Sequence, residues 1–178
     1  MDFQSIVVDF VHFPFMKSPA GNGLRAVPKK FPRIPERHFW ETTDLADMTP
    51  EQWESLCDGC GKCCLEKIED ADTGRIYYTN VVCRLLDPDT CRCGDYAERA
   101  RIVPSCITLT PTVLEDPRWL PATCAYRLVA ENRPLPAWHP LLTGDPGTVQ
   151  AAGASVRGRV ISEEAAGPLV QHLVDWVE

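Results

Sequence analysis

Long apolar runs, clustered cations and paired histidines are all missing from this chain, and each absence removes a class of function. No apolar run reaches the roughly 18 residues of a spanning helix, so no membrane role is expected. The four histidines, His12, His38, His139 and His172, stand singly, without HxxxH or CxxH spacing. Lone histidines are more often surface or core groups than ligands, and His139, within Trp138-His139-Pro140, is the best outsider. No glycine-rich phosphate loop, GxSxG elbow or HExxH helix is present, and nothing marks one thiol as base-activated for catalysis. Residues 38–178 hold twelve Lys/Arg against twenty-two Asp/Glu. Phosphate contacts need clustered cations, so no nucleic-acid partner is expected for so acidic a body.

Cysteine is likewise absent from the first 56 and the last 54 positions; all nine lie between Cys57 and Cys124. Four of them arrive in one burst, Cys57-Asp58-Gly59-Cys60-Gly61-Lys62-Cys63-Cys64. Two intervening residues let backbone fold around one ion, and the glycines permit the dihedrals of such knuckles. A CxxCxxC run with further cysteines from afar is closer to iron–sulfur ligation than to the paired CxxC units usual for zinc. The candidate metal ligands are Cys57, Cys60, Cys63, Cys64, Cys83, Cys91, Cys93, Cys106 and Cys124. Adjacent side chains point apart, so Cys64 is expected to serve a second metal, bridge two, or sit in the core. Nine thiols exceed the four of a single site, which leaves either two sites or structural bystanders. Glu66, Glu69, Asp70 and Asp72 follow the burst, either completing a hard iron site or forming a solvated acidic turn.

The expected fold class is α+β: a small, loop-rich single domain organised around a cysteine metal cluster, with short helices and a small sheet. The chain has 16 prolines and 11 glycines among its 178 residues, and thiolate–metal bonds can staple such a fold. Residues 1–37, with several X-Pro steps and a net charge of +3, read as a flexible N-terminal extension ahead of a metal-binding domain over 38–178. The apolar strip Ser5–Phe13 has no positive start and carries Asp9, so it is not read as a signal peptide. A cytoplasmic location is expected, and an odd cysteine count in a reducing compartment favours metal or redox chemistry over disulfides.

Thr49-Pro50-Glu51-Gln52 predicts a capping box opening a short helix that delivers Cys57 inward at its end. Strands are expected over 75–79 and 81–86, broken at Asn80, with a turn at Asp87–Thr90. Helical turns are expected at Tyr96–Arg101 and after Thr110-Pro111, and a longer helix from Pro121 towards Asn132. Val156–Ile161 reads as a strand, and Gly167-Pro168 as the start of a final amphipathic helix reaching Val177.

Trp53 through Cys64 resembles the signature of the YcgN-like bacterial CxxCxxCC cysteine-cluster family. Cys83-Arg84-Leu85-Leu86-Asp87, Cys91-Arg92-Cys93, Pro104-Ser105-Cys106 and Cys124-Ala125-Tyr126-Arg127 are further matches, within a similarity running from Phe39 to Ile161. The resemblance implies a zinc- or iron-chelating domain without naming an activity. A related cysteine motif in flagellin lysine methylases implies an iron–sulfur cluster. Tyr96, Arg99, Tyr126 and Arg127 are then read either as groups offsetting thiolate charge or as ordinary packing. Three functions follow: metal handling or redox through iron or zinc, an enzyme or subunit using a cluster, and a structural zinc module docking a partner through an aromatic edge around Trp138. Metal ions are the expected partners, with the protein partner left open.

Overall fold

The computed structural model describes residues 37–177, so the expected extension lies outside the described residues except for Arg37. Helix α1, Phe39–Thr42, is held by the Glu41 carboxylate accepting the His38 N–H at 3.1 Å. Helix α2, Pro50–Ser55, has the expected capping box: Thr49 Oγ1 accepts from Gln52 N at 3.2 Å and Gln52 Oε1 from Thr49 N at 2.9 Å. Two strands follow, β1 at Leu65–Glu69 and β2 at Ile76–Val82, then a hairpin of β3, Leu86–Asp87, and β4, Arg92–Cys93. Four short helices come next: α3, Arg99–Ile102; α4, Ala125–Ala130; α5, Pro140–Thr143; and α6, Gly147–Ala151. Strand β5, Ile161–Ser162, completes a mixed three-stranded sheet of order β1-β2-β5. The α+β, loop-rich expectation holds. No described helix is long and apolar enough to cross a membrane.

Four local expectations are corrected. Asn80 does not break the strand: β2 runs through it, because the buried Thr79 hydroxyl donates to Glu66 O at 2.8 Å and Asn80 Oδ1 meets His172 Nδ1 at 3.0 Å. Strand β1, over residues for which the sequence predicts no element, pairs antiparallel with β2. The helix expected from Pro121 begins only at Ala125, because Cys124 is extended and acts as its N-cap. The final helix is a 3₁₀ turn at Leu169–His172, after which Leu173 pairs with Thr79 and Val174 N donates to Tyr78 O at 3.0 Å. Unpaired sheet backbone there outweighs an amphipathic helical pattern. Likewise Val156 is clipped by one bond to Cys60 O at 2.9 Å, and only Ile161–Ser162 joins the sheet.

Three apolar clusters frame the cysteines. Leu56, Leu114, Leu120, Tyr126 and Leu128 form the first; Leu65, Val82, Leu86, Cys91 and Val156 the second; Cys60, Val149 and Ala154 the third. His139 is fully buried beside the first. Its Nδ1 accepts from Leu141 N at 3.1 Å, which leaves Nε2 to donate to Leu56 O at 3.1 Å. Both nitrogens are therefore engaged, and the outsider histidine is a clamp on the residue before Cys57. His139→Ala is expected to cost about 3 kcal/mol, combining a cavity with an orphaned carbonyl. Urea unfolding measures it, and a loss below about 1 kcal/mol would contradict the clamp.

Candidate metal centre

The burst folds as a knuckle. Gly59 and Gly61 both take left-handed φ, 74° and 75°, and Asp58 Oδ1 accepts from Cys60 N at 3.0 Å. Lys62–Cys64 then turn as a 3₁₀ helix, with Cys64 N donating to Gly61 O at 3.1 Å. This turn presents both Cys63 and Cys64 to one cavity, although adjacent side chains are expected to point apart. Backbone bonds pin the remaining segments: Cys83 N to Cys64 O at 3.0 Å, Gly94 N to Leu85 O at 2.7 Å, and Cys106 N to Val103 O at 2.8 Å.

The cavity has a volume of about 420 Å³, and six cysteines line it: Cys57, Cys63, Cys64, Cys83, Cys93 and Cys106. They come from four separate stretches of chain. The other three lie away from this cavity. Cys60 is buried against Val149, Ala154 and Trp138; Cys91 is buried in the second cluster at φ 56°; Cys124 caps α4. All nine are free thiols. Among the described residues, no three Cys, His, Asp or Glu side chains already stand close enough to hold an ion. Coordination therefore requires side-chain rotation about a wall of sulfur that the backbone has already assembled.

Protonation is uneven across that wall. The Cys64 thiol donates to Cys63 and Lys67 lies nearby, which together hold Cys63 down to about 7 against the penalty of burial. Cys64, the donor of that shared proton, is pushed up. Burial, reinforced by negative charge on Cys63, raises Cys57 to about 11. Cys57 and Cys63 have accessible surface even so, because that surface faces the cavity. Burial also raises Cys106, and takes the off-cavity Cys124 to about 12. Cys63 is thus held near its thiolate form at neutral pH, whereas Cys57, Cys64 and Cys106 are held towards the neutral thiol.

The surrounding polar groups sort differently from the sequence reading. Tyr96 and Arg99 line the cavity, stacked with the guanidinium 3.8 Å from the ring centroid. Arg127 is turned away, bound to Glu131 at 2.8 Å and to Leu120 O at 2.7 Å; the Tyr126 hydroxyl donates to Trp53 O at 2.8 Å rather than to sulfur. Of the acidic run, only Glu66 lines the cavity, while Asp70 caps its own turn through Thr73. Trp138 is half-buried against Cys60, not part of an exposed edge. Lys67 was not singled out from the sequence, yet its ammonium donates to Cys63 O at 2.9 Å and Leu65 O at 2.7 Å. Its spacing of four from Cys63 was the available signal. Asp58 was also missed: its Oδ2 is the one buried side-chain oxygen or nitrogen among the described residues without a hydrogen-bond partner.

The donor set suits a soft or borderline metal. Thiolates select zinc, iron–sulfur clusters and copper(I) over magnesium or calcium, which want rings of oxygen. The family model for CxxCxxCC, described as a "putative zinc- or iron-chelating domain", matches residues 56–125, the stretch that carries every one of the nine cysteines. A UPF0260 protein of Rhizorhabdus wittichii is 59% identical over 79% of this chain and 96% of its own length. UPF0260 proteins of Gluconobacter oxydans and Marinobacter nauticus are 58% and 54% identical, over 80% and 78% of this chain and 87% and 95% of their own. No solved structure matches. With the same cysteine-bearing region matched and nearly the whole length of these relatives covered, the chain belongs to the UPF0260 family of CxxCxxCC proteins.

Proposed function

We propose that this chain holds a polynuclear iron centre through the six cavity cysteines and serves in metal handling or redox chemistry. One observation carries the reading: four stretches of chain, distant in sequence, bring Cys57, Cys63, Cys64, Cys83, Cys93 and Cys106 to a single cavity. Size supports more than one metal. A lone ion with sulfur at about 2.3 Å occupies a sphere of about 50 Å³, and the cavity is about 420 Å³. Cys63, already near its thiolate form, is the natural first ligand. Cys60 and Cys91 act as buried small residues in this reading, and Cys124 as a half-buried one. Iron is preferred because zinc is usually satisfied by four ligands in a closed site and offers no redox chemistry.

Differential alkylation tests the ligand set. Metal should protect the six cavity cysteines from iodoacetamide and leave the accessibility of Cys91 and Cys124 unchanged. Equal labelling of the six with and without metal would sink the assignment. Affinity should also depend on pH in a stated direction. Below about 7 Cys63 takes up its proton and binding weakens; above 7 binding continues to strengthen, because Cys57 still gives up a proton up to about 11. A competition titration between pH 6 and 9 reads this, and a flat profile would contradict it.

A further inference from the structure

A second cavity, of about 320 Å³, shares no lining residue with the six-cysteine cavity. Four charged side chains line it, two of each sign: Asp58 from the knuckle, Asp89 and Arg92 from the β3–β4 hairpin, and Arg157 from the segment before β5. None of the four is in an ion pair among the described residues. Elsewhere on the surface Arg101, Arg118 and Arg133 each close on a neighbouring carboxylate, at 2.7, 2.7 and 3.0 Å. Opposite charges that share a cavity without meeting leave room for a ligand that pairs with both. Asp58 carries the stronger signal. It is only 9% exposed, and while its Oδ1 accepts from Cys60 N at 3.0 Å, its Oδ2 has no partner. A buried carboxylate oxygen without a donor keeps its desolvation penalty uncompensated. The Arg92 guanidinium lies over Gly59, 3.5 Å from where a Cβ would stand, so the two signs are set side by side.

Independently of the chelation reading, we infer that this second cavity binds a small apolar amino acid as its zwitterion. The ammonium faces Asp58 and Asp89, and the carboxylate faces Arg92 and Arg157, whose planar forks suit its two oxygens. Gln150 adds a donor: the Ser155 hydroxyl donates to its Oε1, which leaves the amide N–H groups for the carboxylate. Buried Val149 supplies apolar wall for the side chain. The volume lies at the lower end of small-molecule pockets, which limits the ligand to a short side chain. A ligand of one sign is disfavoured, because it would meet two wall charges of its own sign and leave them unanswered.

Calorimetric titration of the full chain tests this with L-valine, isobutylamine, which lacks the carboxylate, and isovalerate, which lacks the ammonium. L-Valine is expected to bind one per chain with a Kd of about 0.1 mM, about tenfold tighter than either single-charge analogue. Arg157→Gln, at an exposed position, should weaken L-valine about tenfold and leave isobutylamine unchanged. Asp58→Asn should weaken L-valine about tenfold without weakening isovalerate; the amide oxygen can still accept from Cys60 N, so the knuckle keeps its turn. Arg157 lies outside the knuckle, so its variant decides the matter if Asp58→Asn disturbs folding. No binding of L-valine, either analogue binding as tightly, or Arg157→Gln without effect would overturn the inference. Metal content is assayed on the same samples and should not change; metal drawn off by L-valine would show chelation in place of binding in the cavity, and would overturn it too.

Discussion

Cys63→Ser should lose stoichiometric metal while keeping its fold, the largest functional effect expected of any single cysteine. Cys63 is the thiol held down to about 7, and its negative charge is felt by Cys57, Cys60, Cys64, Cys106 and Cys124. It therefore sits at the electrostatic centre of the cluster. Structural thiolate sites bind with about 12 kcal/mol shared over four sulfurs, so losing one costs about 3 kcal/mol, or about a hundredfold in affinity. Its accessible surface faces the cavity and its backbone turn needs no thiol, so the metal-free variant should unfold within about 1 kcal/mol of the metal-free parent. Metal retained at parental stoichiometry would remove Cys63 from the ligand set.

Gly61→Ala should be the most damaging of the small substitutions. The residue sits at φ 75°, where an L side chain costs about 1–2 kcal/mol. An added Cβ would also lie 2.8 Å from Val156 Cγ2 and 3.5 Å from Cys91 Cβ and Leu86 Cδ2. Val156 is fully buried, so it has little room to yield, and overpacking adds about 1–3 kcal/mol. Together about 3 kcal/mol is expected, a fall of about 6–12 °C in Tm for a chain of this size. Because the knuckle must shift, metal loading should drop too. Gly153→Ala separates the two causes: φ is 67° there, but nothing lies within 4 Å, so only the conformational strain remains. Equal losses at the two glycines would show that the contact with Val156 does not matter.

Short-range chemistry was legible in the sequence where one residue type dictates one geometry. The Thr49/Gln52 box, the Gly59 and Gly61 knuckle and the Asp87 turn, whose carboxylate accepts from Asp89 N at 2.8 Å, all follow from local hydrogen bonding or backbone freedom. Tertiary pairing was not legible. Strand β1 owes its form to β2, and the C-terminal segment forgoes helix because Tyr78 and Thr79 offer it a sheet edge. The density of thiols in the sequence marked the metal region without dividing it. Which cysteines meet depends on backbone bonds such as Cys83 N to Cys64 O, and no spacing rule reveals that Cys91 turns into the core while its near neighbour Cys93 faces the cavity. Tyr126 and Arg127 illustrate the same limit: adjacent to a cysteine in sequence, they spend their polar atoms on Trp53 and Glu131.

Elemental analysis and acid-labile sulfide on anaerobically purified full-length protein test the central claim most directly. The account predicts more than one iron per chain, a broad visible band from thiolate-bound iron, and loss of both in Cys63→Ser. A colourless protein with one zinc per chain, or one with no bound metal at all, would contradict it.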